Sequence, residues 1–402
     1  MNPLILKPFT TGFLSEFILT PETLPFRDDE IMSLDAELSV FEQVFLNPDI
    51  EKNLISKNEL LASFAISKAE NSQLSLREAE EVYELIQNDP NYEFIHEKIK
   101  SKTKLTQKDH DRLEFLNILR TFRSVNQATF TMKDLTPEFI RKVHAQLTQG
   151  LDIFNDHLPD FTVYKSGAWR NNNMIRVGKY NPAPHIQVEN SVLELTKWLK
   201  KNQTITGVAT FHTALYAVHP FNNGNKRVCR ILEHILLRSL KIDSKHLYST
   251  SYYYHKHKDR YYRCLLYSLD RKNLNHFVAY VQEALVLSII DVVKTSLEAK
   301  RGDYISQKNP DKELAIVLKH FIKQGDIQFK KLTVLTQGKI ARQTLVTYLA
   351  RSVEHGILTK REQGRTTHYT LNFDAPESKY LQKWLAFAQE RLKVLPYSIT
   401  LF

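Results

Sequence analysis

Cysteine is nearly absent, with Cys229 and Cys264 the only two in 402 residues. That excludes a disulfide framework and a cysteine-rich zinc site, and it suits a reducing compartment. Glycine is scarce at 11 residues. No low-complexity tract is present. The N-terminus lacks the basic segment and apolar run of a secretory signal. The longest apolar run, around Ala284 to Val293, reads as too short to span a bilayer. A cytoplasmic protein with no membrane partner is expected, with secretion as an effector left open. What is present is ordinary for a globular chain, 42% hydrophobic and 25% charged. The length exceeds what one core supports, so two or three domains are expected. A formal net charge of +10 suggests polyanionic contacts, and its location matters more than its total.

The densest chemistry lies in His219-Pro220-Phe221-Asn222-Asn223-Gly224-Asn225-Lys226-Arg227-Val228-Cys229-Arg230. Val208, Phe211, Leu215 and Val218 precede it at helical spacing, and Val228, Ile231, Leu232, Ile235, Leu236 and Leu240 follow it. The pattern predicts a helix, a tight loop and a second helix. Pro220 stops the first near His219, and Asn223-Gly224 permits a sharp turn. The unpaired N–H groups opening the second helix form an anion site, to which Lys226, Arg227 and Arg230 add charge. A polyphosphate fits there, and His219 is placed to accept a proton from a hydroxyl attacking it.

This stretch resembles the signature of the Fic family, His-Pro-Phe-x-Asp/Glu-Gly-Asn-Gly/Lys-Arg-x-x-Arg, and the resemblance extends over roughly residues 60 to 270. It departs at Asn223, where the family has Asp or Glu, and Lys226 is the less common of two accepted residues. The resemblance implies protein adenylylation, with ATP as substrate and Mg²⁺ as cofactor. His219 would be the base. Backbone N–H groups at Gly224 and Asn225, with the Asn225 side chain, would hold the α-phosphoryl oxygens; Arg227 and Arg230 would hold the departing pyrophosphate. Asn222, Asn223, Lys226 and Tyr262 complete the expected nucleotide set, Asn223 also being the expected metal contact. In many relatives a preceding helix carries Ser/Thr-x-x-x-Glu-Gly/Asn, whose Glu pairs with the second signature Arg and blocks productive binding. Glu70-Asn71 matches the end of that motif, whereas Ile66 stands at its first position. Glu70 is therefore the expected inhibitory residue, with Arg230 as its expected partner.

Residues 1 to 30 read as an extended arm lying on the body. Apolar periodicity predicts helices over Leu54 to Ile66, Leu76 to Ile86 and Leu113 to Phe122, and another from Pro137 through Leu147 with Thr136 as its cap. Periodicity breaks between Gly150 and His185. There Met174-Ile175-Arg176-Val177 alternates like a short strand. In the Fic family a hairpin at this place, the flap, is thought to dock the target by strand addition. Leu274 to Leu297 reads as a long helix. Arg301 to Lys312 is hydrophilic, carries a proline and marks the expected domain boundary.

Beyond it, three helices and a pair of strands joined through Glu362-Gln363-Gly364-Arg365 have the order of a winged helix. Residues 301 to 375 hold 13 Lys and Arg against 7 Asp and Glu, a basic face suited to duplex DNA. Arg342, Gln343 and Arg351 on the third helix and Arg365 in the wing are the expected contacts. Ser378 to Leu392 is amphipathic.

The expected fold is mainly α: an all-helical Fic core with a small β-hairpin flap, plus a C-terminal winged helix-turn-helix. The boundaries are 1–100 for the arm and candidate inhibitory helix, 101–300 for the catalytic domain, 301–375 for the winged helix and 376–402 for the C-terminal helix and tail. The expected partners are a target protein offering a Tyr, Thr or Ser hydroxyl, the chain itself included, duplex DNA and a second copy of the chain. Removal of AMP is a second activity of such proteins. Two alternatives stay open: a DNA-binding regulator whose Fic body senses nucleotide with little turnover, and a phosphotransferase like the Doc branch. That branch carries Lys at the position of Lys226 but usually lacks the glycine found here as Gly224.

Overall fold

The computed structural model describes residues 4–10, 12–101, 103–156, 158 and 165–392. These form sixteen α-helices and one three-stranded sheet, so the chain is mainly helical. They divide into two compact units.

The first unit lies within Met1–Glu42, Glu51–Ile289 and Arg391–Phe402. Its helices are α1 (Asp28–Phe45), α2 (Pro48–Lys68), α3 (Leu76–Asn88), α4 (Phe94–Lys100), α5 (Gln107–Gln127), α6 (Pro137–Leu147), α7 (Val188–Lys201), α8 (Ile205–Val218), α9 (Asn225–Ser239), α10 (Thr250–Lys256) and α11 (Lys258–Asp270), with the first part of α12 (Asn275–Gln307). Residues 43–50 fall to the other unit. Local signals start several helices where they were expected. The Thr136 hydroxyl accepts from the Phe139 N–H at 3.1 Å and Pro137 opens α6. Ser75 closes a reciprocal capping box with Glu78 at the start of α3.

Helix α8 is the centre of this unit. Every residue from Ile205 to Val218 except Thr206 is buried, which an almost wholly apolar sequence allows. It packs on α7 and α9. Gly207 is required at the start of α8, because a Cβ there would lie 2.1 Å from the Asn202 carbonyl oxygen. A buried polar knot ties the core together. Glu233 on α9 meets His212 Nδ1 at 2.5 Å, and its other oxygen accepts from the hydroxyls of Thr250 at 2.5 Å and Tyr254 at 2.9 Å. A carboxylate with three partners tolerates full burial, whereas an unpartnered one would not. The N-terminal arm lies on the helices: Leu6 pairs with Leu19, Phe9 packs on Trp198 at 5.2 Å, and Phe9, Leu14, Phe17, Leu19 and Phe26 are all buried.

The second unit comprises Gln43–Ile50 and Ile290–Glu390. The rest of α12 leads into α13 (Lys312–Lys323), β1 (Asp326–Gln328), α14 (Phe329–Thr336), α15 (Arg342–Glu354), β2 (Leu358–Gln363), β3 (Thr366–Leu371) and α16 (Pro376–Leu392). The antiparallel sheet has the order β1-β3-β2, with Tyr369 paired to Ile327 on one side and Lys360 on the other. Leu314, Val317, Leu318, Phe321, Leu332, Leu345, Leu349 and Ile357 form its core. The β2–β3 turn holds two residues, Gly364 and Arg365, and Gly364 takes the left-handed φ of +59° that tight hairpin turns favour.

Two expectations about α12 need correction. The hydrophilic stretch from Arg301 to Lys312 is expected to lie beyond the helix, yet α12 continues to Gln307. Its residues are good helix formers and Ile305 is buried in the second core, so the helix needs no sustained apolar period. Nor is the apolar run too short to cross a membrane, since α12 is long and apolar enough to do so. In this fold 89% of its apolar window is buried inside the protein.

Candidate functional site

The site is built where α8 stops and α9 starts. His219 adopts the left-handed φ of +53°, closing α8 as its N–H bonds the Leu215 carbonyl at 3.0 Å. Gly224 is left-handed too, at +73°, and opens α9. A Cβ at Gly224 would also press on the Arg227 guanidinium at 3.3 Å and the His144 ring at 3.5 Å. Between these turns the Asn225 side chain clamps the loop. Its Oδ1 accepts from the Phe221 N–H at 3.0 Å, and its Nδ2 donates to the Phe221 carbonyl at 2.8 Å.

The loop rests on a buried floor. The Phe221 ring stacks on His144 at 3.8 Å, nearly parallel, with Trp169 at 5.0 Å. His144 Nδ1 accepts from the Gly167 N–H at 3.0 Å, which leaves Nε2 as the protonated nitrogen facing the Asn223 carbonyl at 3.3 Å. Burial first, and Arg227 second, push the His144 pKa down to about 3. Arg170 gathers the carbonyls at the end of α8. Its guanidinium donates to His219 at 2.7 Å, to Val218 at 3.2 Å and to Ala183, while its own N–H bonds the Pro220 carbonyl at 2.9 Å. Those carbonyls would otherwise be unpaired at a buried helix end. Arg227 is fully buried and pairs with Glu114 on α5 at 2.8 Å. Burial raises the Glu114 carboxyl to about 7, with Arg227 opposing.

Above this floor lies a cavity of about 380 Å³. His219, Tyr216, Asn222 to Lys226, Glu70, Tyr262 and Leu266 line it, with Ile175 to Gly178 along one edge. Burial is the main reason the His219 pKa falls to about 4; Glu70 and the Tyr216 backbone oppose it, and Arg170 and Lys226 add to it. The imidazole is therefore neutral at pH 7 and able to accept a proton. Glu70 follows the last turn of α2 and sits on the first turn of α9: its Oε1 accepts from the Lys226 N–H at 3.2 Å, and its Oε2 lies 3.6 Å from Lys226 Nζ. Burial acts to raise the Glu70 pKa, but Lys226, Arg227 and His219 together hold it below the usual carboxylate value. A carboxylate thus occupies the anion site of the helix N-terminus.

Comparison with known proteins finds likenesses for part of the chain. Residues 134–237 match the Fic/DOC family. A probable protein adenylyltransferase of Aquifex aeolicus is 30% identical over 148 residues, which are 35% of this chain and 44% of that protein. Among solved structures, a Fic family protein from Desulfovibrio desulfuricans aligns with 88% of this chain and 99% of its own, at 17% identity and a TM-score of 0.47. A Fic-1 structure from C. elegans aligns with 66% of this chain and 72% of its own, at 16% identity and a TM-score of 0.48.

The fold brings His219, Asn222, Asn223, Gly224, Asn225, Lys226, Tyr262 and Glu70 to one cavity, and it separates others from it. Arg230 does not line the cavity. It lies beneath the rings of Tyr261 and Tyr254, at 4.6 and 5.4 Å, and donates to the Ala65 carbonyl at 3.0 Å. The expected Glu70–Arg230 pair is replaced by Glu70–Lys226, because Lys226 is the cation next to the helix N-terminus that the carboxylate caps. Arg227 is likewise below the loop, and its observed partner is Glu114 rather than an open phosphate site. The Asn225 amide is engaged by Phe221 at both ends, so it shapes the loop. Asn222 Oδ1 accepts from Asn172 Nδ2 at 3.2 Å.

The expected flap strand is not formed. Met174, Ile175 and Arg176 run outside any strand, and among the described residues of this connection the bridge is between Val177 and Tyr180, around Gly178. An alternating pattern without a neighbouring strand has nothing to pair with. Met174 is 86% exposed. Part of the same connection, residues 157 and 159–164, lies outside the described residues.

Among the described residues no group of three or more His, Cys, Asp or Glu side chains is arranged for a metal ion. The cavity lining offers one carboxylate, Glu70, which Lys226 engages, and the neutral amide of Asn223. This donor set does not fit a Mg²⁺ held by protein side chains alone. In the second unit, Arg342, Gln343 and Arg365 are exposed. Arg351 is paired with Asp311 at 2.9 Å, and Arg342 lies over Phe329 at 5.7 Å.

Sequence reasoning missed His144 and Glu114. His144 sits between Val143 and Leu147 on a helix and reads as a core residue, and Glu114 reads as a solvated helix acid.

Proposed function

We propose that this protein transfers AMP from ATP to a hydroxyl side chain of a target protein, in a state restrained by Glu70. The observation that carries the reading is a buried, neutral His219 facing, across one cavity, a helix N-terminus whose anion position a carboxylate of the same chain fills. The match of residues 134–237 to the Fic/DOC family, and the name of the Aquifex aeolicus relative, support it. In the forward step the target oxygen bonds to the α-phosphorus as the bond to the β-phosphate oxygen breaks. The hydroxyl proton passes to His219 and pyrophosphate leaves. The N–H groups at Gly224 and Asn225 face the charge that builds on the α-phosphoryl oxygens, and Lys226 balances the departing phosphates. Glu70 opposes all of this while it stays, since a carboxylate and a phosphate cannot share the first turn of α9.

Incubating the protein in a cell lysate with ATP labelled separately at the α and γ phosphates tests the reading. Label from the α position on protein supports AMP transfer. Label from the γ position would establish phosphotransfer, and no label from either would favour a nucleotide sensor.

For the second unit we propose a winged helix that binds duplex DNA. The carrying observation is that α15 buries Leu345, Tyr348 and Leu349 while leaving Arg342, Gln343, Val346 and Thr347 exposed on its opposite side. A mobility-shift assay at low salt with the full chain tests it.

A further inference from the structure

Lys272, in the turn after α11, has its ammonium enclosed by three rings. Nζ lies 4.9 Å from the centre of Phe13, 5.0 Å from Phe17 and 4.9 Å from Tyr180, with the Glu16 carboxylate at 3.5 Å. A cation over aromatic faces is attracted by their negative π-clouds, and the attraction grows as water is displaced; this side chain is 30% exposed. The backbone is committed as well. Lys272 takes a left-handed φ of +51°, uncommon for a residue with a side chain, while its carbonyl accepts from the Ile18 N–H at 2.9 Å.

The rings come from two distant parts of the chain. Phe13 and Phe17, with Glu16, belong to the N-terminal arm. Tyr180 belongs to the turn at the edge of the cavity: its N–H and carbonyl both bond Val177, at 3.0 and 3.1 Å, and its hydroxyl donates to the Ala217 carbonyl at 3.3 Å, two residues before His219. Tyr180 thus joins the cavity edge, where Val177 and Gly178 lie, to the end of α8. We propose that Lys272 is a positioning residue for that edge: with the arm it cages the Tyr180 ring, and through Tyr180 it fixes the turn along which a target chain meets His219. This rests on the reading of the cavity as a site of transfer to a protein. The loop and the start of α9 have supports of their own in Asn225 and His144. Loosening the cage should therefore alter how the target engages and leave nucleotide affinity as it is.

The test is amide hydrogen exchange over residues 174–182 of the full chain, read for the wild type, Lys272→Met, Lys272→Arg and Phe13→Leu. Methionine keeps the stem and loses the charge, whereas arginine keeps a cation over the rings. Exchange should rise about fivefold in Lys272→Met, by a smaller factor in Phe13→Leu, and stay within about twofold of wild type in Lys272→Arg. Exchange over 219–226 should be the same in all four. Wild-type rates in both Lys272→Met and Phe13→Leu would overturn the clamp. So would an equal rise in Lys272→Arg, which would make Lys272 a packing residue whose charge is idle. Should Lys272→Met fail to fold, Phe13→Leu and Lys272→Arg decide. A second measurement uses α-labelled ATP in a cell lysate. Lys272→Met should label other proteins about fivefold more slowly than wild type, with the ATP concentration for half-maximal labelling unchanged within about twofold. A shift in ATP dependence with target labelling unchanged would overturn the positioning role. No labelling by the wild type would remove the transfer reading, and the exchange rates alone would then decide whether Lys272 holds the turn.

Discussion

The loop between α8 and α9 and the face formed by α15 with the β2–β3 hairpin are both basic, and they handle charge in opposite ways. At the loop and the start of α9 each cation has a buried or half-buried commitment: Lys226 to Glu70 and Ala69, Arg227 to Glu114, Arg230 to Ala65 and two tyrosine rings. On α15 and the hairpin the cations are exposed, and where they pair, as Arg351 does with Asp311 or Arg361 with Asp326, the partner is exposed too. Exposed pairs contribute about 0–1 kcal/mol, whereas leaving one buried partner uncompensated costs about 3–5 kcal/mol. The first region should fail residue by residue. The second should weaken in proportion to charge and respond to salt.

The largest effect expected is on His219. His219→Ala removes the base and leaves the anion position of α9 untouched, so single-turnover transfer should fall by about 10²- to 10⁴-fold. Nucleotide affinity, read by calorimetry, should stay within about threefold of wild type. A variant that keeps more than a tenth of the rate would remove His219 from the role of base, and with it the contrast between a loop of assigned roles and a surface of summed charge.

Next is Glu114, a test of how much the buried commitments contribute. Its carboxyl rises from 4.5 to about 7 on folding. The folded chain therefore keeps a proton that the unfolded chain releases, and this contribution to stability is present below pH 4.5 and is lost as pH climbs from about 4.5 through 7. A shift of that size amounts to about 3 kcal/mol. Thermal unfolding of the wild type followed from pH 5 to pH 8 should show Tm falling, and the fall should be smaller in Glu114→Gln, whose amide does not titrate. An equal fall in both would place the titrating group elsewhere, for which Glu42, also raised to about 7 by burial, is the next candidate.

A tenfold effect is expected at Glu70. Glu70→Gly empties the anion position and frees the Lys226 N–H and half of its ammonium contacts, so self-labelling from α-labelled ATP should rise by about tenfold. The gain reports on Lys226, since Arg230 is not its partner. An unchanged labelling rate would leave Glu70 a structural cap of α9.

What could be read without the fold, and what could not, follows the range of the interactions involved. Both helices around the loop, the stop at His219, the left-handed Gly224 and the Thr136 cap rest on neighbours within a few residues, and sequence carries those. The three helices and hairpin after α12 show the same local patterning; β1 escaped notice because three residues are too few to alternate. The partner of Glu70 is a different matter. It lies 156 positions away, and whether Lys226 or Arg230 meets it depends on how far α2 extends and where α9 packs against it. Asn225 is ambiguous for a related reason: an amide at a helix start suits a phosphate as well as its own loop, and the path of the backbone at Phe221 gives it the second set of partners.

The smallest expected effects are on the exposed face, and they can sharpen the comparison most finely. If α15 and the hairpin turn contact duplex DNA, each cation that meets a phosphate releases about one counterion, so the slope of log affinity against log salt should flatten by about 0.9 per cation removed. Arg342→Ala and Arg365→Ala should each show this, with affinity at low salt falling by only a few-fold because many cations share the contact. Arg351→Ala should do less, since Asp311 already holds its guanidinium and binding must first break that pair. Equal losses at all three positions would mean that surface pairing does not matter here and that total charge alone counts. A steep, specific loss at Arg342 with no change in salt slope would mean a contact to a base edge, and the exposed face would then work one residue at a time, as the buried loop does.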